Sequence, residues 1–93
     1  LDGEDGPRSG ADRELVHSVL RLFEVLKAFR RERPRMTLTE VAEAAGLTRA
    51  SARRFLLTLV HAGYAETDGK RFALSPRVME LGHSVMAASS VWD

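Results

Sequence analysis

One stretch of the sequence, residues 37–63, has the pattern of two short helices joined by a tight turn. It reads TLTEVAEAAGLTRASARRFLLTLVHAG. Thr37 and Glu40 have the spacing of a capping box, which predicts the start of the first helix. Gly46 can take a left-handed turn without steric cost, and Thr48 can then cap the second helix. Two helices joined by three or four residues that include a glycine form the pattern of a helix-turn-helix.

The second predicted helix, residues 48–62, has one apolar face and one basic face. The apolar residues repeat at helical spacing and are Ala52, Phe55, Leu56 and Leu59. Most of the other face consists of Arg49, Ala50, Ser51, Arg53 and Arg54. Arginine offers a planar fork for guanine edges and phosphates, and small residues allow a close approach. Because the cap, the glycine turn and the basic helix occur together, the pattern favours insertion into the DNA major groove over a merely solvated face.

Length and composition limit the class of protein. The chain has 93 residues, no cysteine and 44% hydrophobic residues, which predicts one small globular domain without disulfides or thiolate metal sites. The three histidines are scattered and no carboxylate pair lies in a catalytic motif, so we expect no enzyme, no metal and no cofactor. No apolar run approaches the roughly 20 residues of a membrane span, and no signal peptide is recognisable. We therefore expect a cytoplasmic protein without membrane contact.

The charge is unevenly distributed along the chain, although the net charge is only +1. Residues 1–15 hold five acidic and two basic side chains, so residues 16–93 carry a net charge of +4. Residues 1–11 are acidic and rich in glycine and lack periodicity, which predicts a disordered acidic tail. The remainder is basic, as expected for a domain that binds nucleic acid.

A longer helix is predicted ahead of the helix-turn-helix, from Asp12 or Arg13 to Phe29. It is apolar over more of its circumference than a surface helix needs, so we expect part of it to meet a partner. Asp12 and Glu14 lie near the predicted start, where carboxylates suit the helix dipole. A group of cations occupies the end of the helix and the loop after it: Lys27, Arg30, Arg31, Arg33 and Arg35. We expect them to serve the helix C-terminus, with Arg35 the best placed of them to contact phosphate instead.

Residues 64–74 have the pattern of a two-stranded wing. Asp68 and Gly69 tolerate positive φ and lie between two short apolar runs, which is a strong hairpin signal. Lys70 and Arg71 follow at the tip, where cations suit phosphates or the minor groove. A solubilising charged turn would give the same residues, but the neighbouring helix-turn-helix favours contact with DNA.

Ser75 and Pro76 predict the start of a final helix, with serine as N-cap and proline in the first position. Apolar residues of this helix recur at the spacing of a coiled-coil seam over two heptads: Val78, Leu81, Val85, Ala88 and Trp92. The helix is either a lid on the same core or a connector to a second domain or subunit. We expect the connector.

Three stretches in this order resemble one family. They read SVLRLFEVLKAF, LTEVAEAAGLTRASARRFLLTLVHAGYA and GKRFALSPRVMELG. Residues 15–82 are similar to the N-terminal DNA-binding domain of the IclR family of bacterial transcriptional regulators, especially its PcaR, PcaU and PobR branch, which controls aromatic-acid catabolism. The resemblance implies a mainly α fold with a small β-hairpin. It implies a winged helix-turn-helix over residues 12–75 and a linker helix over residues 76–93.

The resemblance also implies functional roles. Residues 48–62 would be the recognition helix in the major groove of double-stranded operator DNA, and residues 64–74 would lie on the backbone or in the minor groove. The implied DNA-binding residues are Thr39, Thr48, Arg49, Ala50, Ser51, Arg53, Arg54, Lys70 and Arg71. A homodimer through the first helix and the linker helix is implied. A small-molecule effector would bind only through a C-terminal domain that these residues do not contain.

A winged helix can also serve as a protein–protein interaction module, because a fold does not dictate a function. Such a module is expected to present an apolar patch on the second helix of the motif. Arg49, Arg53 and Arg54 stand there instead, so the sequence favours a DNA-binding regulator.

Overall fold

The structure is a computed structural model that describes residues 14–88, and for residues 85–88 it describes the backbone only. The predicted acidic tail, residues 1–11, lies outside the described residues, as do residues 12–13 and 89–93. The described elements are α1 (His17–Ala28), β1 (Met36–Thr37), α2 (Leu38–Ala45), α3 (Arg49–Ala62), β2 (Ala65–Thr67), β3 (Arg71–Leu74) and α4 (Arg77–Ala88). This order confirms a mainly α winged helix-turn-helix that is followed by a further helix.

Helix α1 begins later than the sequence predicted. Residues 14–16 are not helical, and Val16 is an N-cap with extended backbone and no side-chain hydrogen bond. The first turn contains no acidic residue, so the expected interaction of Glu14 with the helix dipole is wrong. Apolar spacing defines the face of a helix but not its ends, which depend on capping groups. The predicted starts at Asp12 and Arg13 lie outside the described residues.

One hydrophobic core lies between α1, α2, α3 and the sheet. Val25 comes from α1, while Met36 and Val41 lie on either side of the first cap of the helix-turn-helix, and all three are fully buried. The predicted apolar stripe of α3 faces this core, with Phe55 half-buried at its edge. The remaining members of the core are Ala42, Ala52, Leu56, Leu59, Ala65 and Phe72. The basic face of α3 is thereby turned outward.

The described residues contain a three-stranded antiparallel sheet in the order β1-β3-β2, where the sequence predicted two strands. Strands β2 and β3 form the predicted hairpin, with Thr67 opposite Phe72. Strand β1 adds Met36 opposite Phe72 and Thr37 opposite Arg71. The sequence did not reveal β1 because two residues are too few for an alternating pattern and Thr37 also caps α2.

Helix α4 begins at Arg77, one residue after the predicted start at Pro76, and Ser75 bonds to its first residue. The Ser75 hydroxyl oxygen accepts a hydrogen bond from the Arg77 N–H at 3.2 Å, and Pro76 lies between them. Val78 is half-buried and Leu81 is exposed. The rest of the predicted seam has side chains outside the described residues: Val85, Ala88 and Trp92. No described side chain of α4 belongs to the core cluster, which favours a connector over a lid.

Candidate nucleic-acid interface

The start of α2 is fixed by a complete capping box. The Thr37 N–H donates to Glu40 Oε1 at 2.8 Å, and the Glu40 N–H donates to Thr37 Oγ1 at 3.2 Å. The Arg33 guanidinium lies 3.3 Å from the Glu40 carboxylate. The bond from the Thr37 backbone, with the nearby positive charge of Arg33, holds the pKa of Glu40 below its ordinary value. The entry into the helix-turn-helix is therefore held by one carboxylate that serves both a helix cap and an ion pair.

Three of the five cations predicted near the end of α1, Lys27, Arg30 and Arg33, line one cleft of about 500 Å³ beside its last turns. Of the five, Lys27 alone lies in the last turn, where it pairs with Glu24 at 3.1 Å. The backbone becomes extended at Phe29, which carries the chain away from the helix axis. Arg30 and Arg33 then bond to each other across a tight turn, with the Arg33 N–H donating to the Arg30 carbonyl at 3.0 Å. Three of the five cations therefore lie near the end of α1, and their favourable interaction with the helix dipole stays a prediction.

The turn between α2 and α3 has the predicted geometry. Gly46 has φ of +72°, a left-handed conformation that glycine takes without the Cβ penalty of other residues. The Leu47 N–H donates to the Ala42 carbonyl at 2.9 Å and closes the end of α2. The Thr48 hydroxyl then accepts the N–H of Ser51 at 3.1 Å and starts α3. These local bonds define the position at which α3 leaves the core.

The basic face of α3 lies opposite its buried face. Arg49, Ala50, Arg53 and Arg54 are exposed, while Ser51 is half-buried. Arg49 and Arg53 are one turn apart and therefore neighbours on the helix surface. The two other residues predicted for the helix-turn-helix, Thr39 and Thr48, are also exposed. The structure thus brings an arginine-rich surface together on the first half of α3.

A groove between α1 and α3 adds a cation that the sequence analysis missed. It encloses about 440 Å³, and Arg21 of α1 and Arg54 of α3 both line it. Leu22 and Phe55 form part of its apolar surface. The sequence did not reveal Arg21 as part of this surface, because its proximity to α3 depends on helix packing. The basic surface therefore extends from α3 toward α1.

The wing turn is held by side chains that bond to its own backbone. Asp68 Oδ1 accepts the N–H of Arg71 at 2.8 Å and of Lys70 at 2.9 Å, and these two bonds lower the pKa of the Asp68 carboxyl. The Thr67 hydroxyl donates to the Arg71 carbonyl at 2.8 Å and accepts the Gly69 N–H at 3.0 Å. Side-chain bonds of this kind stabilise turns at the expense of other conformations. The position of the wing tip is consequently well defined.

The wing has balanced charge. Lys70 and Arg71 are exposed as predicted, but Glu66 and Asp68 are exposed on the same hairpin. Arg35, which precedes β1, lines a cleft of about 310 Å³ together with both acids and Arg71. Arg35 is therefore beside the wing and away from the end of α1. The cations of the wing lie among acids, unlike those of α3.

Groups suited to metal chemistry or to membranes are not found in the part of the chain that the structure describes. His17, His61 and His83 are exposed on three different helices. Residues 14–88 contain no cluster of three or more histidine or carboxylate side chains that could hold a metal ion. In the same residues, no helix is long and apolar enough to cross a membrane.

Comparison with known proteins identifies the family. Residues 18–69 match the IclR helix-turn-helix domain. The Pca operon regulatory protein of Acinetobacter baylyi is 36% identical over 78 residues, which cover 84% of this chain and 28% of that protein. The p-hydroxybenzoate hydroxylase transcriptional activator of the same organism is 40% identical over 65 residues, which cover 70% of this chain and 24% of that protein.

A solved structure agrees with these relatives. A Rhodococcus sp. RHA1 protein assigned as a transcriptional regulator superimposes with a TM-score of 0.74 and 51% identity, over 82% of this chain and 30% of that one. The chain thus spans less than a third of the length of the proteins it matches. The matched residues contain α1 from its second residue onward, the capping box, the glycine turn, α3 and the first part of the wing. Through this helix-turn-helix domain, the chain belongs to the IclR family.

Proposed function

We propose that this chain is the DNA-binding part of a bacterial transcriptional regulator and that α3 enters the major groove of operator DNA. The observation that carries this proposal is the exposed arginine face on the first half of α3, with Ala52 and Leu56 fully buried behind it. A helix with side chains is about 10–12 Å wide and fits a major groove of about 12 Å. The buried back face gives the helix a fixed orientation, which base readout requires.

The individual contacts follow from the position of each side chain. Arg49 and Arg53 point outward from successive turns and suit base edges, and Ala50 allows close approach. Thr39 and Thr48, at the starts of the two helices of the motif, suit phosphate oxygens. The full proposed DNA-binding set is Thr39, Thr48, Arg49, Ala50, Ser51, Arg53, Arg54, Lys70 and Arg71. Recognition in this arrangement relies on α3, and the phosphate contacts fix its register.

The wing would lie on the DNA backbone or in the minor groove. Lys70 and Arg71 are exposed next to a turn that is held by Asp68 and Thr67. The two acids of the wing reduce its net attraction to DNA, so we expect a contribution from individual phosphate contacts and not from bulk charge.

A homodimer is part of the proposal because α1 has an exposed apolar surface. Val19, Leu20 and Phe23 are 44%, 48% and 52% exposed on one helix, and Leu15 and Val16 precede it with similar exposure. An apolar surface of this kind is typical of a contact with another protein surface. Pairing through α1 and α4 would place two copies of α3 on half-sites one helical turn, or a multiple of it, apart.

The regulated genes and the effector belong to the same proposal. The names of two relatives refer to the pca operon and to p-hydroxybenzoate hydroxylase, which supports control of genes for aromatic-compound catabolism. We propose that α4 leads to a further effector-binding domain in a protein of the length of these relatives. Such a regulator would act in the cytoplasm, where its DNA is, and would carry out no enzymatic reaction.

The first experiment is selection of binding sites from random duplex DNA, followed by measurement of affinity at several salt concentrations. We expect one symmetric sequence to be enriched. Arg49→Ala should weaken binding to that sequence by about 1–3 kcal/mol while changing random-DNA binding much less. Lys27→Ala is the matched control, since Lys27 pairs with Glu24 at the far end of α1. Equal losses on both DNAs would make Arg49 a phosphate contact.

The interaction-module alternative has its own outcome in this experiment. If no duplex is enriched and no salt-dependent binding is measured, the arginine face of α3 does not bind DNA. The single large apolar residue exposed in the described part of α3, Leu57, gives little surface for a protein partner, so we favour the regulator.

The dimer is tested by sedimentation. Leu81→Asp should lower self-association, because Leu81 is 50% exposed on the predicted seam of α4. His83→Asp, also exposed on α4, controls for the added charge. An unchanged mass in Leu81→Asp would remove α4 from the dimer contact.

A further inference from the structure

One polar side chain joins the end of α3 to the start of α4. Ser75 is 8% exposed and is the one buried polar residue among those whose burial is described. Its hydroxyl donates to the Gly63 carbonyl at 2.7 Å and accepts the Arg77 N–H at 3.2 Å. Its backbone N–H donates to the Tyr64 carbonyl at 2.9 Å. Gly63 is the C-cap of α3, so Ser75 is bonded to both helices at once.

A second contact reinforces the same junction. The Arg77 guanidinium carbon lies 5.3 Å from the centre of the Tyr64 ring, within range of a cation–π interaction. An added Cβ at Gly63 would lie 3.1 Å from Arg77 Nη1, so the first residue of α4 packs against the end of α3. Two independent contacts, one hydrogen-bonded and one stacked, therefore fix where α4 departs.

We propose that Ser75, supported by Arg77 on Tyr64, is a positioning residue that sets the direction of α4 relative to α3 and thereby the separation at which a dimer reads its two half-sites. This inference rests on the proposed function. No described side chain of α4 belongs to the core, so the direction of α4 depends on this junction. Loss of the hydroxyl would leave the carbonyl of the half-buried Gly63 without that bond, which is costly.

The length of α4 makes small changes at the junction large at its far end. Twelve residues span about 18 Å at about 1.5 Å per residue. A rotation of about 10° at Ser75 would move the far end by about 3 Å, close to the roughly 3.4 Å spacing of successive bases along one strand. A junction that allows such rotations would therefore let the distance between the two copies of α3 vary by about one base-pair spacing.

The first test measures the junction without DNA. The chain has no cysteine, so spin labels at Glu43→Cys and His83→Cys, both exposed positions, in protein diluted with an excess of unlabelled chain report the distance between α2 and α4 within one copy. Ser75→Ala should widen the distance distribution by about twofold or more, because an anchored helix becomes an ensemble. Ser84→Ala, an exposed serine on α4, is the matched control and should leave the distribution unchanged. An unchanged width in Ser75→Ala would overturn the inference.

The second test compares a duplex containing two half-sites with a duplex containing one. Ser75→Ala should bind the two-half-site duplex about tenfold more weakly, while single half-site binding stays within about twofold, because only simultaneous engagement is lost. Ser75→Thr retains the hydroxyl and should restore binding. Equal losses on both duplexes would mean that Ser75 merely maintains the fold, and would overturn the positioning role.

A further variant keeps the inference testable if Ser75→Ala does not fold. Arg77→Gln removes the stacking on Tyr64 but leaves Ser75 in place, and should produce a smaller change in the same direction. If Arg77→Gln changes neither the distance distribution nor the binding of the two duplexes, the proposed role of this junction is contradicted. If the wild-type chain binds both duplexes equally, the homodimer of the proposed function is contradicted. The spin-label distance measurement would still decide whether Ser75 positions α4.

Discussion

Helix α3 and the wing both expose cations, but they hold them in opposite ways. The basic half of α3 is backed by Ala52 and Leu56, both fully buried, and Arg49–Ala62 contains no acidic residue. The wing tip has no comparable packing and is fixed by Asp68 and Thr67, which bond to its own backbone. Its cations also lie among acids. The core holds the basic half of α3 in place, whereas local hydrogen bonds hold the wing tip.

This difference suggests that α3 and the wing make different contacts in the proposed interface with DNA. A helix supported by a packed core keeps its side chains in one orientation, which hydrogen bonding to base edges requires. A hairpin tip with balanced charge is better suited to following the phosphate backbone. We therefore expect substitutions in the core behind α3 to abolish recognition of DNA. Substitutions in the wing should cause smaller changes in the unfolding free energy and in the salt dependence of DNA binding.

The largest effect is expected from the support behind α3. Leu56→Ala should lower the free energy of unfolding by about 2–5 kcal/mol, because it removes a fully buried side chain and leaves a cavity. Urea denaturation measures it. Leu57→Ala, next in the chain and 43% exposed, is the matched control and should cost much less. Similar costs at both positions would contradict a core-supported helix.

The next effect concerns the backbone of the wing. Gly69 has φ of +96°, and nothing lies within 4 Å of an added Cβ, so Gly69→Ala introduces backbone strain without a clash. We expect a loss of about 1–2 kcal/mol in unfolding free energy. Gly82→Ala is the control: Gly82 is helical and also has open space around it, so alanine should be neutral or stabilising there. A neutral Gly69→Ala would show that the turn is not held as described.

A smaller effect tests whether the wing meets phosphate. Lys70→Ala should reduce the slope of log affinity against log salt by about 0.9, the value for one lost phosphate contact on duplex DNA. Binding is measured on the selected duplex over a range of salt. Lys27→Ala, on the cation paired with Glu24, should leave the slope unchanged. If the two variants have equal slopes, the wing lies outside the interface.

The smallest effect is a pH dependence of the wing turn. The lowered pKa of Asp68 means that its carboxylate stabilises the folded state above its ordinary pKa of 3.8, and that this contribution is lost as pH falls through the lower folded value. Asp68→Asn should therefore be less stable than wild type at about pH 6, with the gap closing toward about pH 2. Urea titrations of both proteins at each pH measure the gap. A gap that is independent of pH would contradict the contribution of the charge.

The sequence predicted those parts of the fold that depend on neighbours along the chain. The caps and the turn of the helix-turn-helix depend on residues no more than three or four positions apart. The predicted geometry is present at Thr37 with Glu40, at Gly46 and at Thr48. Strand β1 was not predictable, because two residues form a strand only when β3 lies beside them. The ion pair of Arg33 with Glu40 was missed for the same reason.

The candidate site was predictable to the extent that one helix carries it. The exposure of Arg49, Arg53 and Arg54 follows from helical periodicity once the buried face is known. Arg21 joins this surface only through the packing of α1 against α3. Ser75 was recognised as a helix cap, but its bond to Gly63, twelve residues earlier, arises from the return of the wing to the end of α3.

Strand β1 passes into α2 without an intervening residue, since Met36–Thr37 is followed at once by Leu38–Ala45. Thr37 lies opposite Arg71 in the sheet and is also the cap of α2. One inserted residue at this point would rotate α2 by about 100° relative to the sheet, whereas residues added at the wing tip would only lengthen the turn. Proteins that share this architecture should therefore vary in length at the wing tip and keep the strand-to-helix junction constant.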